Sequence, residues 1–476
     1  MFEQLEAKRS LTANQWRIVA AAIIGDMLEF FDYFLIGFVL AFIVGPWQLS
    51  FGQSAVILLS SGIGAILGAA IWGRLADRIG RRAVFIGTVL NFSLATGILA
   101  LTPDHGWIFL TIRFFVGFGV GGLYCVDLPL VQEFVPASKR GFVGGLVTAF
   151  IPIGVMIGSI LGAFLAPVIG WRGLFACGLV PALLTLLIRA WVPESPRWLV
   201  RMGRPEEARR SLAWALQVPP ESLPLPKIDE ATTRPTAWTD LFHYPRSLLV
   251  SWLSNLGMQT TGYGVILWAP TLFVMLLGVS PAQASYMFIF VSLAGFVGRF
   301  VFSGLSELIG RRAAGALQGF GSAAMIIAAG LLHDSFLGTV SVFWLLIIAA
   351  DFFFDGGSAI MGPYAAEVWP SALRTSGMGS AYGFGGIGKI IGPIGLALIV
   401  GSSNIVKPDV TIAAILPCFL YLGAWSALAG FAYAFIGFET KGRSIEDIDR
   451  GLIAGRRQAQ SREPLQRAMK EGRRGF

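Results

Sequence analysis

Long apolar stretches alternate with short polar connections along almost the whole chain. A helix needs about 20 apolar residues to cross the hydrocarbon core of a bilayer, and the stretches are close to that length. The short segments of alternating polar and apolar residues that are typical of membrane β-barrels are missing from the sequence. We therefore predict twelve membrane-spanning helices, at 17–44, 53–73, 83–102, 107–131, 142–168, 173–192, 247–275, 281–304, 313–332, 340–364, 376–400 and 411–437.

The composition indicates that lipid is the main solvent of this protein's surface. Of the 476 residues, 55% are hydrophobic and 13% are charged, and the mean hydropathy is +0.69. A soluble domain carries about 25% charged residues, so a water-soluble fold of this length would lack the charges to cover its surface. The predicted fold class is an all-α polytopic membrane protein.

The net charge of +8 is distributed in a way that argues against a nucleic-acid partner. Lys and Arg concentrate in every second connection and in the C-terminal tail, with Arg172 and Lys407 as exceptions. Basic loops stay on the cytoplasmic side of a membrane. We therefore expect both termini in the cytoplasm and a location in the inner (plasma) membrane. The connections without Lys or Arg are 45–52, 102–106, 276–280 and 333–339.

Two internal repeats indicate that the chain is duplicated. The segment GRLADRIGRRA (73–83) reappears as SGLSELIGRRA (303–313), and one P-x-x-x-E-x-x-P-x-x-x-R pattern (129–140) reappears at 363–374. Two parallel repeats around a central site are typical of a transporter that rocks between two states. We predict two pseudo-symmetric six-helix bundles at 1–199 and 247–438, a cytoplasmic linker with short helices at 200–246, and a basic cytoplasmic tail at 439–476.

The chemistry-bearing residues do not form an enzyme constellation. Cys125, Cys177 and Cys418 lie far apart within predicted helices, which argues against a disulfide framework. The three histidines lack metal-ligand spacing, and no nucleophile elbow or phosphate-binding loop occurs. We therefore expect no enzymatic activity, no bound metal and no cofactor.

Charged residues recur at the cytoplasmic ends of the helices in both halves. The glycines around Asp77 allow a tight turn, and Glu133 and Glu367 each precede an Arg by seven residues. Arg–carboxylate pairs are strong and directional, so they can hold one conformation and release in another; ordinary loop charge is the alternative. The predicted cytoplasmic gate consists of Asp77, Arg81, Glu133, Arg140, Glu194, Arg197, Glu307, Arg311, Glu367 and Arg374.

The same strings carry a family resemblance. GRLADRIGRR resembles the loop signature of the major facilitator superfamily, whose fold has twelve helices in two bundles. VPESPRWL (192–199) and FETKGRSIEDI (438–448) resemble the sugar-porter and organic-ion branches, although those branches usually have Pro where this chain has Phe438. The resemblance covers nearly the whole chain and implies transport by alternating access.

Ionisable residues inside the predicted helices are candidates for function. A charge at mid-bilayer costs at least about 2.5–3.5 kcal/mol. The first predicted helix carries three acids at a spacing of three, which places them on neighbouring positions of its surface. These residues are Asp26, Glu29 and Asp32 in the first predicted helix, Arg113 in the fourth, Asp351 and Asp355 in the tenth, and Lys389 in the eleventh.

A second resemblance concerns proton coupling. GDMLEFFDYFLIG (25–37) and RFFVGFGVGG (113–122) resemble the first and fourth helices of the metabolite:proton symporters, and the latter also resembles proton-coupled sugar porters. The resemblance implies that Asp32 and Arg113 take part in proton coupling. Glu29 and Asp26 are further candidates, with a location at the cytoplasmic entrance as the alternative.

The predicted substrate site combines a cation with aromatic rings. Lys389 among aromatic side chains suits a carboxylate on an apolar or aromatic body; alternatively, Lys389 pairs with Asp351 or Asp355. We expect Arg299 to reach the cytoplasmic boundary instead of the centre. Sugar porters resemble the seventh helix around Gln259, but have an Asn where this chain has Gly264. The candidates are Lys389, Asp351, Asp355, Gln259, Tyr263, Trp268, Tyr364 and Tyr382.

These patterns together predict a secondary active transporter. We expect proton-coupled symport of a small organic anion of the aromatic or heterocyclic carboxylate type, by a monomer embedded in membrane lipid. An organic cation or drug transporter is the alternative that the excess of intramembrane acids favours. A proton-coupled sugar porter and a transporter-like receptor are two further alternatives.

Overall fold

The computed structural model describes residues 1–103, 106–123, 125–225, 238–370, 373–443, 447–448 and 450–452. Twelve membrane segments, α1 to α12, follow one another along the chain. The first six are α1 (Ala13–Ile43), α2 (Phe51–Ile79), α3 (Arg81–Leu99), α4 (Trp107–Leu123 and Asp127–Phe134), α5 (Ala137–Ala149, Ile151–Ile160, a π turn at Leu161–Leu165, and 166–169) and α6 (171–177, a 3-10 turn at Val180–Leu183, and Leu184–Trp191). The second six are α7 (Pro245–Leu277), α8 (Pro281–Ile309), α9 (Arg311–Leu331), α10 (Val342–Glu367), α11 (Arg374–Gly386 and Gly388–Val400) and α12 (Pro408–Phe431 with a π turn at Ala432–Ile436).

Local sequence accounts for where these helices begin and break. Thr12, Ser50 and Ser280 begin α1, α2 and α8 with complete capping boxes, each paired with a Gln three residues later. Gly170 separates α5 from α6. Its φ of 70° is a backbone conformation that residues other than glycine rarely adopt.

Short elements lie outside the membrane segments. One short helix precedes α1, at Phe2–Glu6. The connection between the two sets of six contains two short helices, Pro196–Arg201 and Pro205–Leu216, and two 3-10 turns, Pro220–Ser222 and Trp238–His243. Strands β1 (Phe336–Leu337) and β2 (Val340–Ser341) form a small antiparallel hairpin between α9 and α10. Parts of the predicted linker, 226–237, and of the predicted tail, 453–476, lie outside the described residues.

The helices have the length and apolarity that a membrane requires. Ten helical stretches of the described chain qualify on length and composition alone. Helix α1 has 31 residues but carries several charges, and the apolar stretch Val180–Trp191 of α6 is shorter than a full span. The predicted all-α polytopic fold is confirmed.

We name the two ends of the bundle by the segments they carry. The linker face holds 192–225 and 238–244, and the far face holds the loops 44–50 and 401–407. On the far face the two sets of helices are joined by backbone hydrogen bonds, from the N–H of Phe51 to the carbonyl of Asn404 (2.9 Å) and from the N–H of Gly52 to that of Ser402 (2.9 Å). The protein is therefore closed at its far face.

Candidate functional site

The Lys389 side chain lies where the two halves of the chain meet. Its Nζ is 4.9 Å from the ring centroid of Tyr263 in α7 and 5.7 Å from that of Tyr33 in α1. The two rings pack edge to face, with centroids 5.5 Å apart. A cation over aromatic rings is attracted by their electron-rich faces. The structure thus brings together the predicted residues Lys389 and Tyr263, and adds Tyr33, which was not among the predicted residues.

Close packing of α11 against α7 fixes the position of this lysine. A Cβ on Gly388 would lie 2.5 Å from the backbone nitrogen of Thr260, so only glycine permits this approach. The half-buried Gln259 borders the same contact. The carboxylate of Glu29 lies within electrostatic range of the Lys389 ammonium. This arrangement offers a positive charge beside flat apolar surfaces.

Asp32 and Arg113 are both fully buried in the first half, but they are not directly paired. Asp32 Oδ2 accepts a hydrogen bond from the Thr96 hydroxyl at 2.7 Å. The three guanidinium nitrogens of Arg113 have no hydrogen-bond partner among the described residues. Arg113 and Asp32 nevertheless lie within electrostatic range. The sequence selected both residues without indicating the third partner, Thr96.

A second group of acids lies nearer the linker face. Asp26, Glu29 and Asp127 are between 1% and 3% exposed. The Asp26 and Asp127 carboxyl groups adjoin each other, and Glu29 lies within electrostatic range of both. Asp26 and Glu29 are therefore buried in this conformation.

The partner of the acids of α10 is Arg299, and not Lys389. Asp355 Oδ1 pairs with the Arg299 guanidinium at 2.7 Å, and a Cβ on Gly295 would lie 2.5 Å from Asp351 Oδ2 and 2.6 Å from Asp355 Oδ2. The alternative in which Lys389 pairs with these acids is not observed. The expectation for Arg299 is also wrong, because this residue is 6% exposed and points into the protein.

Two of the remaining predicted substrate residues, Trp268 and Tyr364, have other partners, whereas Tyr382 lies within electrostatic range of Tyr263. Trp268 is buried at the far face, with its ring centroid 5.5 Å from that of Phe51. The Tyr364 hydroxyl donates to the carbonyl of Phe438 at 2.8 Å, near the linker face. Tyr382 is half-buried and packs against a small cluster around Met258. Trp268 and Tyr364 therefore have contacts that suit structural roles in this conformation.

Several of the predicted gate residues of the first half lie together around the start of α3. Arg81 pairs with Glu133 at 2.9 Å, and Ser195 donates a hydrogen bond to the same carboxylate. Glu194 Oε1 accepts from the backbone N–H of Arg81 at 2.9 Å, where the turn at Gly80 with φ 104° opens the helix end. A carboxylate at a helix N-terminus is favoured by the free N–H groups and the helix dipole. Three further predicted gate residues have separate partners. Asp77 pairs with Arg201 at 2.9 Å and Arg140 with Glu6 at 3.2 Å, and the Arg197 guanidinium lies 5.0 Å from the ring centroid of Phe2.

The second half repeats this arrangement around the start of α9. Arg311 lies 3.6 Å from Glu367 and 2.6 Å from Glu307, and Thr440 donates to Glu367. Glu439 Oε1 accepts from the backbone N–H of Arg311 at 2.9 Å. Arg374 donates to the carbonyl of Ala366 at 3.0 Å, as Arg140 does to that of Gln132. All these contacts lie within one half.

The sequence of the two halves is matched by a family model. The model for the sugar (and other) transporter family covers residues 18–452. The chain belongs to this family of major facilitator transporters. The chain is similar to the niacin transporter NiaP of Acinetobacter baylyi, with 31% identity over 89% of this chain and 94% of the relative. It is also similar to the putative niacin/nicotinamide transporter NiaP of Bacillus subtilis, with 29% identity over 80% of this chain and 88% of the relative.

A solved structure confirms the major facilitator fold. The inward-open xylose transporter XylE from E. coli superposes with a TM-score of 0.68 and 20% identity, covering 92% of this chain and 99% of that one. Three residues that contact the predicted gate residues, Ser195, Glu439 and Thr440, were not themselves predicted. Glu194-Ser195 and Glu439-Thr440 play the same structural part in the two halves of this transporter, which the strings PES and FET could have indicated.

Proposed function

We propose that this transporter carries a small aromatic or heterocyclic carboxylate together with a proton, by alternating access. The single observation that carries the substrate class is the Lys389 ammonium beside the packed rings of Tyr33 and Tyr263. The similarity to a niacin transporter supports the same class, because niacin is a carboxylate on a pyridine ring.

The chemistry of this position favours a carboxylate over a neutral sugar. An ammonium and a carboxylate form a charge-assisted hydrogen bond that is stronger than one between neutral groups. The flanking tyrosine rings offer faces and edges to a flat solute, and aromatic pairs of this kind contribute about 0.5–1.5 kcal/mol beyond the area they bury. Because Lys389 belongs to one half and Tyr33 to the other, a solute between them contacts both halves of the transporter.

Proton coupling is assigned to Asp32, with Arg113 as its alternating partner. A guanidinium nearby stabilises the ionised carboxylate, whereas a buried carboxylate that has lost this partner binds a proton more readily. Asp32 is fully buried and bonded to Thr96, and Arg113 carries no hydrogen bond to a described residue. A proton that accompanies a monovalent anion also makes the transported pair neutral, which lowers the cost of crossing the membrane.

The gate pairs and the far-face contacts support alternating access. The far face is joined between the halves, whereas the described Arg–carboxylate pairs of the linker face stay within their own halves. We assign the linker face to the cytoplasm, with both termini there, and the protein to the inner (plasma) membrane as a monomer. The six-helix bundles 1–199 and 247–438 are the two moving units, and their relative rotation would open and close the two faces in turn.

Uptake of radiolabelled niacin into proteoliposomes tests the proposal. We expect an inward-directed proton gradient to accelerate uptake, and the Lys389→Gln variant to lose at least about tenfold in kcat/KM, equivalent to about 1.4 kcal/mol. The control is Lys407→Gln, which removes an exposed lysine at the far face. Undiminished uptake by the Lys389→Gln variant, or equal loss in both variants, would remove the anion-site assignment.

An organic cation is the second candidate solute class. More acids than cations lie within the described membrane helices, away from their ends, which favours this class. The acids are Asp26, Glu29, Asp32, Asp127, Asp351 and Asp355, and the cations are Arg113, Arg299 and Lys389. Competition by tetraethylammonium in the same uptake assay separates the two proposals. Strong inhibition by tetraethylammonium and none by benzoate would favour the cation.

A further inference from the structure

The Asp32 carboxylate is held by a helix other than the one that carries Arg113. Its Oδ2 accepts a 2.7 Å hydrogen bond from the Thr96 hydroxyl in α3. Both side chains are fully buried. The other oxygen, Oδ1, faces the backbone of α6, where a Cβ on Gly178 would lie 2.9 Å away. The carboxylate therefore sits in a narrow space between α3 and α6.

Thr96 uses its hydroxyl differently from its neighbours in the fold. A threonine in a helix usually returns its hydroxyl hydrogen to a carbonyl three or four residues earlier. Thr88, also in α3 and fully buried, does this to the carbonyl of Phe85 at 2.9 Å, and Thr111 does so to that of Trp107 at 2.8 Å. Thr96 instead donates across to α1. Its hydrogen bond is thus directed at Asp32 and not at its own helix.

The Arg113 guanidinium is left without an acceptor by this arrangement. Arg113 is 0% exposed, and its Nε and both terminal nitrogens lack a hydrogen-bond partner among the described residues. The helix around it is fixed, because the Ser61 hydroxyl donates to the Arg113 carbonyl at 3.0 Å. A buried guanidinium with unused donors is costly, and a carboxylate is its best partner. Thr96 and Arg113 therefore offer competing donors to one carboxylate.

We propose that Thr96 is a positioning residue for proton coupling, which holds Asp32 apart from Arg113 in the conformation that is closed at the far face. The inference rests on the proposed coupling role of Asp32 and adds the residue that decides when Asp32 is available to a proton. In the opposite conformation Asp32 exchanges Thr96 for Arg113. The side-chain hydroxyl of α3 thus sets the pH at which the transporter takes up its proton.

The charged and titratable groups around Asp32 define what a pH profile reports. Arg113 of α4 faces it, whereas α3 contributes Thr96 and α6 contributes the backbone of Gly178, neither of which titrates. On α1 itself Glu29 lies about one turn away and Tyr33 is adjacent. Lys389 of α11 and Asp127 of α4 act on Glu29. Loss of the Thr96 hydroxyl acts directly on Asp32, and so it isolates this residue's contribution.

Thr96→Val is the test, because valine keeps the shape and removes the donor. With the hydroxyl gone, Asp32 pairs with Arg113 and its ionised form is favoured, so a proton binds only at lower pH. We expect the pH of half-maximal proton-driven niacin uptake to fall by about one unit. Thr96→Ser keeps the donor and should restore the wild-type profile. Thr88→Val, which removes a hydroxyl bonded within the same helix, should leave the profile unchanged.

The outcomes separate this inference from the proposed function. Wild-type uptake that ignores the proton gradient would overturn proton coupling itself. Coupled wild-type uptake with equal profiles for Thr96→Val and Thr88→Val would overturn only the role of Thr96. A shift to higher pH would also overturn it, because Thr96 would then merely stabilise the carboxylate. Niacin counterflow, which needs no proton gradient, verifies that each variant is folded. If Thr96→Val fails there, Thr96→Ala, which also removes the donor, replaces it with the same expected direction.

Discussion

Arg299 in the second half donates a hydrogen bond to the backbone carbonyl of Thr148 in the first half. That carbonyl is available because residue 152, four positions later, is proline and has no N–H to close the helical bond. The Asp355 carboxylate holds the same guanidinium at 2.7 Å. A helix break in α5 and an ion pair between α8 and α10 thus form one connection between the two halves.

Removal of Arg299 should destabilise the protein strongly. In Arg299→Gln the Asp355 carboxylate is left buried without its cation, and breaking a buried pair costs about 3–5 kcal/mol. The double variant Arg299→Gln/Asp355→Asn should recover part of this loss, since the Asp355 charge that paired with Arg299 is removed as well. Thermal unfolding in detergent measures both. Arg204→Gln, which breaks an exposed pair with Glu207, should change the free energy of unfolding by less than about 0.5 kcal/mol.

A methyl group at Gly178 should disturb proton coupling more than it disturbs transport of the solute. The Cβ of Gly178→Ala would overlap the Thr96 methyl group and lie 2.9 Å from Asp32 Oδ1. We expect proton-driven uptake to fall at least about tenfold relative to counterflow, which needs about 1.4 kcal/mol. Gly145→Ala is the control, because a Cβ there meets nothing within 4 Å. Equal loss in uptake and counterflow would contradict the expectation.

Glu194 and Glu439 should have equivalent effects in the two halves. Each accepts hydrogen bonds from the backbone at the start of a helix, α3 or α9, at a glycine with positive φ. Glu194→Gln and Glu439→Gln should each lower the free energy of unfolding by about 0.5–2 kcal/mol, measured by thermal unfolding. Glu206→Gln removes an exposed pair with Arg209 and should have little effect. An effect confined to one half would show that the structural repeat is not an energetic one.

A disulfide across the far face should stop transport reversibly. Ser50 and Ile405 are antiparallel bridge partners, and Cα atoms in such pairs lie about 4.5–5.5 Å apart, within the range of a disulfide. The double variant Ser50→Cys/Ile405→Cys should lose niacin uptake on oxidation and regain it with a reductant. Each single variant should stay active under both conditions. Uptake that continues in the oxidised double variant would show that this face does not need to open.

The sequence predicted the all-α membrane fold well because the length and apolarity of a helix are local signals. The gate residues Arg81, Glu133, Arg311 and Glu367 follow directly from the repeat, and the structure pairs them. The site was harder to predict, because side chains from distant helices complete it.

Three residues illustrate this limit. Thr96 is one of many polar residues in helices, and only the packing of α3 against α1 gives it a carboxylate. Pro152 indicates in the sequence that the Thr148 carbonyl lacks its helical donor, but Arg299, which donates to this carbonyl, comes from the other half of the chain. The position of Arg299 near a helix end predicts a place at the membrane boundary, whereas in the structure Arg299 is buried and pairs with Asp355.

The contact between Ser50 and Ile405 is made by main-chain atoms, and this has a consequence for how such transporters diversify. A seal of amide and carbonyl groups does not depend on which side chains the loops carry, apart from proline. Substitutions around Lys389 can therefore change solute specificity without affecting the hydrogen bonds that join the loops of the far face. In such an arrangement, solute specificity and closure of the far face depend on different sets of atoms.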